Sequence, residues 1–307
     1  THSDTTIIGR GFNMSGALCV FGEVLFDHFP DGRRVLGGAP FNVAWHLQAF
    51  GENPLLLSRV GRDREGDEVK AAMQRWGMSL EGVQTDELLP TGKVVVSFED
   101  GEPAYEIVHP AAWDAIGPVK PAAAGSLLYH GSLALRSQQS RESLARLRAA
   151  GAGRVFVDIN LRPPWYAREV LLEALSGADW VKLNGFELDQ LAPASGAIRN
   201  RARAFIEQYD LEGLVLTLGA EGAAVMTSEG GCFEARPVRG IEVRDTVGAG
   251  DALASVTILG LARGWPMQTT LDRAQSFASA IVGCRGATVD DPAFYARFAE
   301  AWNQATL

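Results

Sequence analysis

The chain has 307 residues, 47% hydrophobic and 21% charged, with a net charge of −9; this length and balance suffice for a large core in one or two globular domains. The acidic balance, without any basic block or stripe, argues against a nucleic-acid partner, and no apolar run approaches the ~20 residues of a membrane span. Cys19, Cys232 and Cys284 are an odd set without close spacing, which suits a reducing cytoplasm and argues against a disulfide scaffold or a zinc site.

Thr1 to Gly11 are polar and lack the apolar centre of a signal peptide, and 1–16 read as a flexible lead-in. The body of the domain is expected over 17–304. Ala17 to Leu25 is a first strand, and Asn42 to Phe50 a short helix closed by Gly51. Leu55 to Val60 is a strand, and Glu65 to Trp76 a helix closed by Gly77. Ser126 to His130, Arg154 to Ile159, Trp180 to Leu183 and Leu214 to Leu218 are further strands. Ser137 to Ala150 and Arg201 to Tyr209 are helices among them. Short apolar strands alternating with glycine-closed helices predict crossover units and a mostly parallel sheet covered on both faces. Two pieces break the alternation. Phe26 to Leu36 looks extended around Asp31-Gly32. Thr91 to Phe98 and Ala104 to Val108 flank an acidic Gly-Pro turn, a hairpin signal. Together, over about 26–37 and 91–110, they predict a small β-rich lid inserted in two parts.

Two glycine-rich segments carry the chemistry. Asp245-Thr246-Val247-Gly248-Ala249-Gly250-Asp251 runs into an apolar segment of helical length. Such a turn leaves backbone N–H groups unpaired at the positive end of the helix dipole, where a phosphate or a developing oxyanion is welcome. Asp251 either caps that helix or takes a proton from a nucleophile attacking the phosphate. Gly37-Gly38-Ala39-Pro40-Phe41-Asn42 also opens a helix; its glycines permit close approach of a small polar ligand, and Asn42 both donates and accepts. Asp27 is placed to accept sugar hydroxyls. The Walker A pattern and a complete Gly-x-Gly-x-x-Gly are both absent.

These two segments, in this order, resemble the ribokinase-like (PfkB) carbohydrate kinase family from about Cys19 to Thr288. Asn184-Gly185-Phe186-Glu187 is similar to its Asn-x-x-Glu motif, and Thr217-Leu218-Gly219 with Gly222 to its nucleotide-binding turn. Gly-Gly-Ala-Pro and Asp158-Ile159-Asn160-Leu161-Arg162-Pro163-Pro164-Trp165 look most like the fructokinase branch.

The resemblance implies a three-layer α/β/α sandwich and ATP-dependent phosphorylation of a sugar's primary hydroxyl, with fructose the expected substrate. Asp251 would be the base, and the N–H groups from Val247 through Gly248, Ala249 and Gly250 to Asp251 would hold the developing charge. Asp27, Gly38, Asn42 and Arg162 would contact the sugar, with Tyr105 and His109 closing over it. Asn184, Thr217, Gly219, Gly222, Gln275 and Ser279 would face the nucleotide. Asn184 and Glu187 would orient Mg²⁺ through waters. Asp245, Thr246 and Gly286 would supply a K⁺ site. The sequence departs from the family at Val282-Gly283-Cys284, where relatives carry a Thr-Arg pair, which touches the adenine contacts. Alternatives are a 2-keto-3-deoxygluconate kinase or another kinase of the family, and a non-catalytic sugar- or nucleotide-binding protein. Exposed strand edges on the lid predict a homodimer.

Overall fold

The computed structural model describes residues 18–99, 102–119, 126–151, 153–192 and 196–304, so the expected lead-in and the tip of the hairpin turn lie outside the described residues. The chain starts with β1 (Leu18–Phe21), β2 (Leu25–His28), β3 (Arg34–Gly37), α1 (Ala39–Ala49), β4 (Leu55–Gly61), α2 (Arg64–Arg75) and β5 (Val83–Asp86). Then come β6 (Gly92–Glu99), β7 (Glu102–Ile107), β8 (Leu127–Gly131), α3 (Gln138–Ala149), β9 (Arg154–Asp158), α4 (Arg168–Leu175), β10 (Trp180–Asn184), α5 (Gly185–Leu191) and α6 (Ile198–Tyr209). The rest is β11 (Gly213–Thr217), β12 (Ala223–Thr227), β13 (Cys232–Ala235), α7 (Ala249–Arg263), α8 (Met267–Val282) and α9 (Pro292–Gln304).

The large sheet has the order β13-β12-β11-β10-β9-β8-β1-β4-β5. It is parallel from β11 to β5, with β12 and β13 antiparallel at one edge. The period-2 alternation of strand side chains divides the core. Val20, Tyr129, Phe156 and Trp180 pack under residues of α1, α7, α8 and α9. Val157, Val181 and Leu214 meet α4, α5 and α6, while Cys19 and Phe21 meet α3. Among the described residues no helix is long and apolar enough to cross a membrane.

The expected strand from Ala17 to Leu25 is two strands. Gly22 sits at φ +148°, and the chain leaves the large sheet at Phe21 to enter a second one at Leu25. That smaller sheet has the order β3-β2-β6-β7, with β2 and β6 parallel and the outer pairs antiparallel. Both segments read from the sequence as a β-rich insertion are therefore in it. Its pairing sets Asp27 opposite Val35 and Val94, and Val96 opposite Tyr105, so Asp27 and Tyr105 share one face. The other face is tied to α2: Glu65 accepts from Arg34 at 3.1 Å and lies 2.8 Å from His28 Nε2.

A buried ion pair anchors the connection beyond β7. Arg136 donates to both carboxylate oxygens of Asp114, at 2.7 and 2.8 Å. Its guanidinium lies 3.9 Å from the Trp113 ring centroid and 4.5 Å from that of Trp165. Breaking such a pair strands a buried charge. Arg136→Ala is expected to lower the unfolding free energy by about 3–5 kcal/mol, measured by denaturant titration.

Candidate active site

The site lies where the carboxyl ends of the central strands meet the first turns of α1 and α7. Gly38 caps α1 at φ +107°, and a Cβ there would come within 2.8 Å of the Glu23 carbonyl oxygen. This close approach needs glycine. It brings Asn42, one turn into α1, against the start of α7: Asn42 Nδ2 donates to Asp251 Oδ2 at 2.7 Å. Two residues 209 positions apart, taken from the two glycine motifs, thus share one hydrogen bond.

Gly248 caps α7 in the left-handed region at φ +82°. Asp245 braces the turn before it, accepting from Val247 N–H at 3.0 Å and from Gly286 N–H at 3.0 Å. Val247 therefore spends its N–H on Asp245, and the Ala249 N–H makes a long bond to the Thr246 carbonyl at 3.4 Å, so the set expected to hold charge narrows to the N–H groups of Gly248, Gly250 and Asp251 at the helix end. Asp245, Thr246 and Gly286 do come together.

Burial lifts the Asp251 carboxyl to about 6; Asp158 adds to the rise, while Asn42, Lys182 and Arg162 oppose it. Arg162 is solvent-exposed yet acts on Asp251 from the loop after β9. Asp27 is also raised to about 6, by burial and by the charge of Asp245, so the smaller sheet overhangs the turn before α7. Val35 confirms the contact, with Cγ1 3.6 Å from where a Cβ on Gly286 would lie. Tyr105 is 58% exposed on the Asp27 face. His109 instead stacks on Trp165, with centroids 5.2 Å apart.

Among the residues expected to face a nucleotide, Asn184 caps α5 and accepts from Glu187 N–H at 2.8 Å, while Glu187 accepts from Asn184 N–H at 2.8 Å and from Leu161 N–H at 3.1 Å. Glu187 is buried, joining the start of α5 to the loop after β9. Gly219 has φ +58° with open space where a side chain would stand. Gly222 is required by packing, since a Cβ there would meet the Ala235 carbonyl oxygen at 2.0 Å. Gln275 and Ser279 are buried, and Ser279 Oγ takes the Val238 N–H at 3.1 Å. Ser279 thus serves the loop before α7 and Gln275 Nε2 donates to Ser279 Oγ at 3.4 Å, while Val243 and Val247 on that loop are exposed at 66% and 46%.

Four residues to which the sequence reading gave no role are at this site: Glu23, Tyr129, Asp158 and Lys182. Glu23 Oε2 is buried without a hydrogen-bond partner, and burial raises its carboxyl to about 7. The signal for Lys182 was visible as a charge inside an apolar strand, where burial demands a partner.

A mostly parallel sheet between helical layers, with a second small sheet over its carboxyl end, is the ribokinase-like α/β fold. A fructokinase from Xylella fastidiosa, solved with bound ATP, has the same fold: TM-score 0.81 at 24% identity, covering 94% of this chain and 99% of that one. The chain belongs to the pfkB family of carbohydrate kinases, whose model matches residues 19–293. It is 32% identical to a fructokinase of Klebsiella pneumoniae over 267 residues, 81% of this chain and 85% of the relative. It is 28% identical to an aminoimidazole riboside kinase of Salmonella typhimurium over 261 residues, 80% of each chain.

Proposed function

We propose that the protein transfers the γ-phosphate of ATP to the primary hydroxyl of a sugar, with fructose the preferred acceptor. The observation that carries this reading is the Asn42–Asp251 hydrogen bond, because it unites the expected sugar-binding motif with a carboxylate at a helix N-terminus. Asp251 accepts the hydroxyl proton as the oxygen attacks phosphorus. The N–H groups opening α7 hold the charge that develops, a task for fixed dipoles rather than covalent chemistry. Asp27, Gly38, Asn42 and Arg162 hold the sugar, and Tyr105 on the Asp27 face closes over it as part of a lid made by the smaller sheet. His109 braces the lid's base through Trp165. Thr217, Gly219 and Gly222 shape the phosphate and ribose side, and exposed Val243 and Val247 offer an apolar wall to the purine.

The donor set fits Mg²⁺ held through water. Glu187 accepts one N–H on each oxygen and keeps further lone pairs with which to orient waters of an octahedral shell, since Mg²⁺ dehydrates reluctantly. When bound, Mg²⁺ neutralises phosphate charge. Asp245 likewise keeps lone pairs beyond its two N–H bonds, which with the Thr246 and Gly286 carbonyls suits K⁺. A homodimer through the lid edges is part of the same proposal.

The Arg162 guanidinium favours one second reading, 2-keto-3-deoxygluconate, whose carboxylate it would pair. ATP consumption measured against a sugar panel tests both. Fructose is expected to give the highest kcat/KM; ketodeoxygluconate turnover without fructose turnover removes the substrate assignment, and no turnover with any sugar removes the kinase reading.

A further inference from the structure

Beneath Asp251 lies a buried polar cluster that the transfer step just described does not use. The strand alternation that builds the core on the α7 side sets Tyr129, Phe156 and Trp180 under the helices. Continuing it by two residues puts Asp158 and Lys182 on the same face, paired in register across β9 and β10. Lys182 Nζ donates to Asp158 Oδ1 at 2.6 Å, and Tyr129 Oη donates to Asp158 Oδ2 at 3.0 Å. All three are buried. The ammonium also lies 3.3 Å from where a Cβ on Gly250 would stand, against the backbone that carries Asp251.

A lysine in such a place is costly unless its charge is answered. The Asp158 carboxylate, fixed by a phenol and by strand register, answers it in contact, and Asp251 and Glu187 add to it from farther away. The remaining field of the cation falls on the first turn of α7. Gly250 is the residue that lets it: a larger side chain would stand between the ammonium and the turn.

We infer that Lys182 is a positioning residue for phosphoryl transfer: held by Asp158 and Tyr129, it supports the Gly250 backbone and keeps a fixed positive charge beneath Asp251. Asp158 is the counterweight, so the pair sets the charge balance around the base. The groups facing Asp251 come from every element packed against it. They are Asn42 on α1, Glu23 between β1 and β2, Tyr129 on β8, Asp158 on β9, Arg162 after β9 and Lys182 on β10. The catalytic consequence rests on the kinase reading; the charge arrangement does not.

The test therefore reads Asp251 directly as well as turnover. In protein labelled with ¹³C at aspartate carboxyls, and with the Asp251 signal assigned by its loss in Asp251→Asn, the Asp251 carboxyl is titrated in wild type, Lys182→Met and Asp158→Asn. Removing the cation is expected to move the Asp251 titration up by at least 0.5 pH unit, and removing the anion to move it down by a similar amount. Opposite shifts from the two ends of one ion pair are not what a purely structural role produces. If Lys182→Met does not fold, Asp158→Asn alone decides. In the kinase assay, Lys182→Met is expected to lower kcat about 10- to 100-fold with sugar KM changed less than about threefold, and to move the acid limb of kcat/KM with the titration. Titrations that stay in place, or move in the same direction in both variants, overturn the inference. An inactive wild type with opposite shifts removes the kinase reading and leaves the charge arrangement standing.

Discussion

Asp251→Asn is expected to fold, to bind sugar and nucleotide, and to lose about 10²- to 10⁴-fold in kcat, the range removed with a positioned general base. The substitution is nearly isosteric, and its amide can still bond to Asn42, which presently donates at 2.7 Å. What disappears is the ability to accept a proton. The wild-type pH profile follows from the same residue. Burial holds the Asp251 carboxyl at about 6, above the ordinary carboxylate range. A base acts in its ionised form, so kcat/KM is expected to be flat above that value and to fall tenfold per unit as pH drops below it. A profile flat to pH 4.5, or an Asp251→Asn variant with wild-type kcat, removes Asp251 as the base. Asn42→Ala should move the acid limb upward, because it withdraws a hydrogen bond that favours the charged carboxylate.

The alternation of short apolar strands with glycine-closed helices made the parallel sheet legible, since that pattern has few other packed solutions. The boundary at Gly22 was not legible. Gly22-Glu23 does interrupt the apolar run, but two residues do not announce a change of sheet, and the reason for glycine there is tertiary: a Cβ on Gly22 would meet Pro40 Cγ of α1 at 2.5 Å. Site residues on glycine turns were found because a positive φ and a close approach leave few residue types to choose from. Tyr129 was missed because its importance is relational, and the charge of Lys182 inside the apolar strand β10 signalled a partner without naming it: only lateral strand register brings both to one buried carboxylate. Gln275 and Ser279 show how a partner within the protein is invisible in the sequence. Polar residues on a late helix read as ligand contacts, and the fold adds a contact of its own, the Val238 N–H donating to Ser279 Oγ at 3.1 Å.

Gly248→Val is expected to cost more than any other single change in the turn before α7. The left-handed φ of +82° penalises an L side chain by about 1–2 kcal/mol. A Cβ would also lie 2.4 Å from Ala287 Cα, and that neighbour is backbone, so relief requires moving the segment from Gly286 to Ala287. Such overpacking adds about 1–3 kcal/mol. Moving Gly286 breaks its N–H bond to Asp245 and frees the turn that aims the first N–H groups of α7. Catalysis should therefore fall about 10²- to 10³-fold, the loss seen when a charge-holding donor is displaced, together with a lower melting temperature. Gly264→Ala separates the two effects. It stands at the far end of α7 with φ +66° and open space around it, so it carries the conformational penalty without touching the turn. Measured side by side, Gly264→Ala should lower the melting temperature and keep kcat, while Gly248→Val loses both. A Gly248→Val enzyme that melts early yet keeps its kcat shows that the opening of α7 is a fold device only, and that the developing charge is held elsewhere.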